Sequence, residues 1–258
     1  MCAGLCIGTS GWNYDTWKTR FYDGVPKKEW LAYCASRFTG MEINATFYRL
    51  QRSGTFQRWF AATPDDFRFA MKGHRFVTHN KKLAVPRSAI DLEREQARAL
   101  GAKLRVVLWQ LPRQFHKDLA RLDAFGGLLR RWPEVRHSVE FRHPSWFDEE
   151  VAECLRRFGL ANCQSDAGDW PLWDAVTTDL VYVRLHGRPR TYASAYRSEA
   201  LQAWAEKIRR WHHAGYEVHV YFDNDAEGAA PHNALELLAR LRDCVSVSHD
   251  DSTGRALP

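Results

Sequence analysis

The chain has 258 residues, 45% of them hydrophobic and 26% charged, with a formal net charge of +6. That length allows one large α/β domain or two small ones, and the modest positive charge, spread along the chain, excludes a dedicated nucleic-acid binder with a dense basic tract while leaving an anionic partner open. No apolar run approaches the roughly 18 residues of a membrane span, the N-terminus MCAGLCIGTSGW lacks the pattern of a signal peptide, and the six cysteines show no metal-like spacing, so a cytoplasmic protein with reduced thiols is expected.

In chain order, short apolar runs alternate with longer amphipathic ones. A strand over 5–10 (LCIGTS) leads to a helical pattern over 27–38. A strand over 40–44 (GMEIN) leads to a helix over 53–62, with Ser53 as its N-cap. A strand over 67–72 (FRFAMK) precedes a helix over 88–100 capped by Ser88. The strand over 104–110 (LRVVLWQ) is followed by a helical pattern over 117–132, and that over 137–142 (HSVEFR) by one over 148–158. The sixth strand, 161–166 (ANCQSD), is followed by AGDWPLWDAVTTD, which has little helical character. Strands over 180–187 (LVYVRLHG) and 217–224 (EVHVYFDN) precede helices over 198–215 and 231–242.

Strands alternating with helices predict parallel βαβ units. Eight such units fit a single closed (β/α)8 barrel of the TIM type over residues 1–258, with a short or irregular sixth crossover and a polar tail, 246–258, free to fray. An open doubly wound sheet is the alternative.

In a barrel, alternate strand residues point inward, and the last of them reach the C-terminal mouth, where barrel enzymes keep their sites. In SVEFRHPSW (138–146), Val139 and Phe141 take the outward face and Glu140 and Arg142 the inward one. The pattern recurs with Glu42 and Asn44, Lys72, Gln110, Gln164 and Asp166, Arg184 and His186, and Tyr221 and Asp223. Buried ion pairs are costly to desolvate, and apolar residues fill a barrel as well or better. So many charges at one mouth point to a ligand site rather than a structural network.

GTSGWNYDTW (8–17), EINATFYRL (42–50), TPDDFRFAMK (63–72), THNKKL (78–83), LWQLP (108–112), EFRHPSW (140–146), RLHG (184–187) and YFDND (221–225) together resemble the YecE-like family, domain-of-unknown-function family 72, in order over nearly the whole chain. The resemblance implies a TIM-type barrel and carries no established activity. Many members have Asn-Asn where this chain has Asp223-Asn224.

The candidate residues divide by chemistry. Glu42 and Glu140, on non-adjacent strands, suit a general acid/base pair; the competing account is that each neutralises a neighbouring cation. His186 suits a proton shuttle or a hydrogen-bonded structural role, and Asp223 completes the catalytic set. Arg142 and Arg184 offer planar forks for a carboxylate or phosphate. The loop after the seventh strand adds Arg188, Arg190, Tyr192, Tyr196 and Arg197, where barrels often bind phosphate; a solvated basic loop is the competing account. Lys72 would be an imine-forming amine if burial lowered its pKa, but among so many carboxylates a salt-bridged, charged lysine is expected. Asn44, Gln110 and Asn224 join the binding set. Trp12, Trp17, Phe47, Tyr48 and Trp146 would stack a sugar or base, or fill the core.

No metal or cofactor is expected. His74 and His79 are five apart, His212 and His213 are adjacent on a helix and so directed differently, and the mouth cations oppose a divalent ion at Glu42, Glu140, Asp166 and His186. Three functions stay open. The first is an enzyme on a small anionic or sugar-like substrate, acting by hydrolysis, isomerisation or lyase chemistry. The second is a nucleic-acid-binding barrel such as a repair-type nuclease, and the third a non-catalytic ligand sensor. None calls for a membrane.

Overall fold

The computed structural model describes residues 4–246, so the tail assigned to 246–258 lies outside the described residues from 247 on. Eight strands alternate with helices: β1 (Leu5–Thr9), β2 (Gly40–Ile43), β3 (Arg68–Lys72), β4 (Leu104–Gln110), β5 (Arg136–Glu140), β6 (Leu160–Asp166), β7 (Leu180–Leu185) and β8 (Glu217–Phe222). All pair in parallel in the order β1-β8-β7-β6-β5-β4-β3-β2. A parallel bridge between Ser10 and Glu42, with Gly11 N–H donating to Glu42 O at 2.7 Å, brings β1 onto β2 and nearly closes the barrel. Each strand thus lies beside its sequence neighbours, which rules out the doubly wound sheet. At this seam a Cβ on Gly8 would lie 2.0 Å from Gly40 O, so the approach of β1 to β2 requires a residue without one.

The helices are α1 (Trp30–Ala35), α2 (Ala45–Tyr48), α3 (Ser53–Ala61), α4 (Arg87–Ala97), α5 (Leu119–Leu129), α6 (Glu149–Phe158), α7 (Ser198–His213), α8 (Ala230–Arg240) and α9 (Arg242–Ser246). In α6, Asp148 accepts a hydrogen bond from Val151 N–H, Glu149 and Glu150 occupy the first turn, and Arg156 and Arg157 the last. Those charges match the helix dipole, and Gly159 ends the helix at a φ of 65°. Two caps fell elsewhere than expected. Ser53 and Ser88 both lie inside their helices, because Arg52 and Pro86 hold the extended conformation that precedes each one.

Two apolar clusters form. The inward residues Ala70, Val106, Leu108, Ala161, Cys163, Leu180, Tyr182 and Tyr221 fill the barrel. The outward residues, such as Ile7, Met41, Phe69, Trp109, Val139 and Val220, join the helices in a larger core. The sixth crossover, 167–179, has no helix, as expected. Outward amides of β6 hold it instead: Asn162 Nδ2 donates to Trp173 O and Ala175 O at 3.0 and 3.1 Å, and Gln164 Nε2 to Asp174 O at 3.1 Å. This corrects the assignment of Gln164 and Asp166 to the inward face. Since Ala161 and Cys163 point in, the inward residue at the end of β6 is Ser165. The five cysteines among the described residues are buried and unpaired. Among those residues no helix is long and apolar enough to cross a membrane.

Candidate functional site

At the mouth, several strand ends meet on one guanidinium. Arg184, on β7, is fully buried. Its Nη2 donates to Glu42 Oε1 at 2.8 Å, Asp223 Oδ2 at 2.9 Å and Ser10 Oγ at 3.1 Å. Its Nε donates to Glu42 Oε2 at 3.1 Å and its Nη1 to Glu140 Oε2 at 2.9 Å. The carboxylates have further donors. Glu42 accepts from Ser10 Oγ at 2.5 Å and Tyr182 OH at 2.6 Å, and Glu140 from Arg142 Nε at 2.8 Å and Ser165 Oγ at 3.1 Å. His186 is fully buried, with Nε2 3.5 Å from Glu140 Oε1. Its Nδ1 is 3.0 Å from Asp223 Oδ2, but off the line of a good hydrogen bond.

Burial opposes the charges of Glu140, Asp223 and Arg184, and the pairing overcomes it. Burial would raise the Glu140 carboxyl, yet Arg142 and Arg184 hold it well below its ordinary value. Asp223 is likewise held below the usual carboxylate range by Arg184 and His186, against its burial. Arg184 stays protonated under burial because Glu42, Asp223 and Glu140 surround it.

Beside the ring opens a cavity of about 620 Å³, within the size range of small-molecule sites. Of the residues singled out in the sequence, Asn44, Phe47, Tyr48, Lys72, His79, Gln110, Arg142, Tyr192 and Asp223 line it, joined by Tyr14, Pro112, Arg113, Gln114 and Asp225. Glu42, Glu140, Arg184 and His186 do not reach it: they are fully buried and form the ring. Asn224 is turned away, with its Nδ2 on Ser194 O and Asn233 Oδ1 at 3.0 Å each. Trp12 packs edge-on against Trp59, and Trp17 and Trp146 are fully buried in the core. In the loop after β7, Arg188 pairs with Asp166, Arg190 with Glu227, and Tyr196 OH with Asp166 O. Of that loop's five candidates only Tyr192 lines the cavity.

Three cations line the cavity; Arg113 is exposed and paired with Asp169 at 2.9 Å, which leaves Lys72 and Arg142. Lys72 is buried, yet no carboxylate oxygen among the described residues lies within 4 Å of its Nζ, which sits 4.1 Å over the Phe47 ring. The expected salt bridge is therefore absent there. Burial, followed by the charge of Arg184, lowers the Lys72 pKa from 10.5 to about 8. Arg142 is held by Nε on Glu140, by Nη1 on Tyr192 OH at 2.8 Å, and by stacking 4.2 Å from the Trp170 ring. Tyr192 has a φ of 66°, a left-handed conformation uncommon for a non-glycine residue and frequent at functional sites.

Sequence reasoning missed Asp225 and Tyr14. Asp225 lies two residues past Asp223, so the same alternation would have reached it. Burial and the charge of Asp223 push Asp225 up from 3.8 to about 6. Tyr14 OH donates to Ser10 O at 2.6 Å beside Asp225, and nothing in the first strand-to-helix turn singled it out. His79, weighed only as a metal ligand, is lowered to about 4 by burial and by Lys72, so it is neutral near pH 7. The mouth thus holds two carboxyls with opposite leanings: Asp223 ionised, and Asp225 ready to exchange a proton near neutral pH.

A sequence model described as "Protein of unknown function DUF72" matches residues 6–254. The UPF0759 protein YunF of Bacillus subtilis is 24% identical over 277 aligned residues, covering 92% of this chain and 94% of YunF. A DUF72 family protein of Thermotoga maritima superposes with a TM-score of 0.82 at 28% identity, over 93% of this chain and 99% of that one. A DUF72 family protein of Enterococcus faecalis shares the fold with a TM-score of 0.79 at 20% identity, over 98% and 100% of the two chains.

Proposed function

The chain belongs to the DUF72 family, and we propose that it is an enzyme acting on a small anionic, sugar-like substrate in the mouth cavity, with Asp225 as the group that moves the proton. The observation that carries this reading is the pair of cations on that cavity, Lys72 buried and Arg142 mostly so. Neither Lys72 Nζ nor Arg142 Nη2 has a carboxylate partner among the described residues. A buried cation without a counter-ion, as Lys72 is among the described residues, is costly, and an anionic ligand supplies one. Arg142 is preoriented by Glu140, Tyr192 and Trp170, which lowers the cost of engaging a carboxylate or phosphate. Phe47 and Tyr48 offer apolar faces beside the polar groups, and Asn44 Oδ1 is a buried acceptor with no partner among the described residues.

The acid/base role first assigned to Glu42 and Glu140 passes to Asp225. Both glutamates are saturated by donors below the cavity, whereas Asp225 lines it at a pKa of about 6. His186 and Glu140 then orient Asp223 and Arg142 rather than touch substrate. The test is a thermal-shift screen of sugar phosphates, sugar acids, divalent metals and short oligonucleotides against wild type, Arg142→Met and Asp225→Asn. A small anion should raise the wild-type midpoint. It should fail to do so in Arg142→Met, and should bind Asp225→Asn without turnover. Stabilisation by oligonucleotides alone, or equal stabilisation of Arg142→Met, overturns the reading.

A further inference from the structure

We propose that the end of the barrel opposite the mouth carries a metal site made by His212, His213 and Cys244, which takes a thiophilic divalent ion such as Zn²⁺. The last turn of α7, which holds both histidines, leads directly back to the start of β8. Helix α9, which holds Cys244, returns to the same end after α8. Arg209 ties the two together, donating from Nη2 to Arg240 O and from Nε to Asp243 Oδ2 at 3.2 Å. One ligand atom from each of the three residues then lies within 4.8 Å of the other two. Zn–N bonds of about 2.0–2.1 Å and a Zn–S bond of about 2.3 Å put tetrahedral ligands roughly 3.5 Å apart, which side-chain rotation can reach from there.

A second, independent observation points to a ligand. Both ring nitrogens of His212 are buried, and neither has a hydrogen-bond partner among the described residues. A buried polar atom left unpaired is destabilising, and metal coordination at one of them removes that defect there. Two imidazoles and a thiolate suit Zn²⁺ or copper better than the oxygen-seeking Mg²⁺ or Ca²⁺. Arg209, the nearby cation, is offset by Asp243. The fourth position is left to water. Adjacency of the histidines hid this site in the sequence, because its third member comes from a separate helix.

The test is a Co²⁺ titration of the purified full chain. Wild type should bind one equivalent with a thiolate-to-cobalt charge-transfer band, and Zn²⁺ should displace it. Cys244→Ser should lose the band. His212→Ala should weaken binding roughly tenfold or more, because even groups that only support metal ligands cost about tenfold when lost. Zn²⁺ should raise the unfolding midpoint of wild type and not of Cys244→Ser. If Cys244→Ser fails to fold, His213→Ala, at an exposed position, gives the same comparison. A saturated wild type without a thiolate band, or a folded variant with unchanged binding, overturns the proposal.

Discussion

Lys72→Met should make the protein more stable at neutral pH, and the gain should vanish in alkali. The ammonium is buried without an anionic partner among the described residues, and its pKa is lowered from 10.5 to about 8 by burial first and by Arg184 second. At 1.36 kcal/mol per pKa unit that depression corresponds to roughly 3 kcal/mol, an upper figure because the cavity admits solvent. The direction follows from proton linkage. A lysine whose folded pKa is depressed costs the fold its full penalty below about pH 8, where both states are charged. Between about pH 8 and 10.5 the unfolded chain binds more protons than the folded one, so wild-type stability rises with pH there. Methionine fills similar volume with no charge. Urea unfolding of both proteins at pH 7 and again near pH 10 reads the difference. The variant should lead by about 1–3 kcal/mol at pH 7, and the lead should shrink at the higher pH. A variant less stable at pH 7, or a difference that does not change with pH, would refute the idea that Lys72 is kept charged against the interests of the fold.

Other expectations follow from the ring and the seam. Arg184→Met leaves Glu42, Glu140 and Asp223 uncompensated in the interior and should cost about 3–5 kcal/mol, lowering the thermal midpoint by roughly 10 °C in calorimetry; an unchanged midpoint would show that the carboxylates are neutral. Asp223 is held below 3.8 in the fold, so it contributes stability above that pH and loses it as pH falls. Asp223→Asn should therefore flatten the acid limb of stability below about pH 4, followed by circular dichroism, and an identical slope would count against the pairing with Arg184 and His186. Gly8→Ala should cost more than about 3 kcal/mol by prising β1 from β2, whereas Gly54→Ala, with open space around it on α3, should gain about 0.5–1 kcal/mol in denaturant melts. Equal effects would mean that the seam adapts.

The barrel was legible because its signals are periodic. Parallel strands that alternate with amphipathic helices leave few alternatives, and the irregular sixth crossover showed as a gap in helical pattern. The mouth was legible by parity wherever a strand end carried charge, as with Glu42, Lys72, Glu140 and Arg184. Parity failed on β6, because Asn162 and Gln164 are polar for another reason: they bind the backbone of a crossover with no helix. It also placed charges without ranking their depth. Glu140 and Arg142 are two residues apart and share a side, yet β5 ends at Glu140. The glutamate is sealed in while the arginine lines the cavity. Depth depends on where the strand stops and on which partners arrive from other strands, and neither is written locally. The metal-like cluster of His212, His213 and Cys244 was invisible for the same reason.

Arg184 touches side chains carried by or just beyond β1, β2, β5 and β8 while standing on β7 itself. One planar group therefore fixes the spacing between opposite walls of the barrel. The mouth cannot widen or narrow without breaking several charge-assisted bonds at once, so its diameter is in effect quantised. Natural variation in what this pocket accepts should then be carried by the residues standing on the rim, Lys72, Arg142, Tyr192 and Asp225, whose exchange leaves the gauge of the opening untouched. Engineering a new ligand preference would start from those four positions and keep the arginine and its carboxylates as they are.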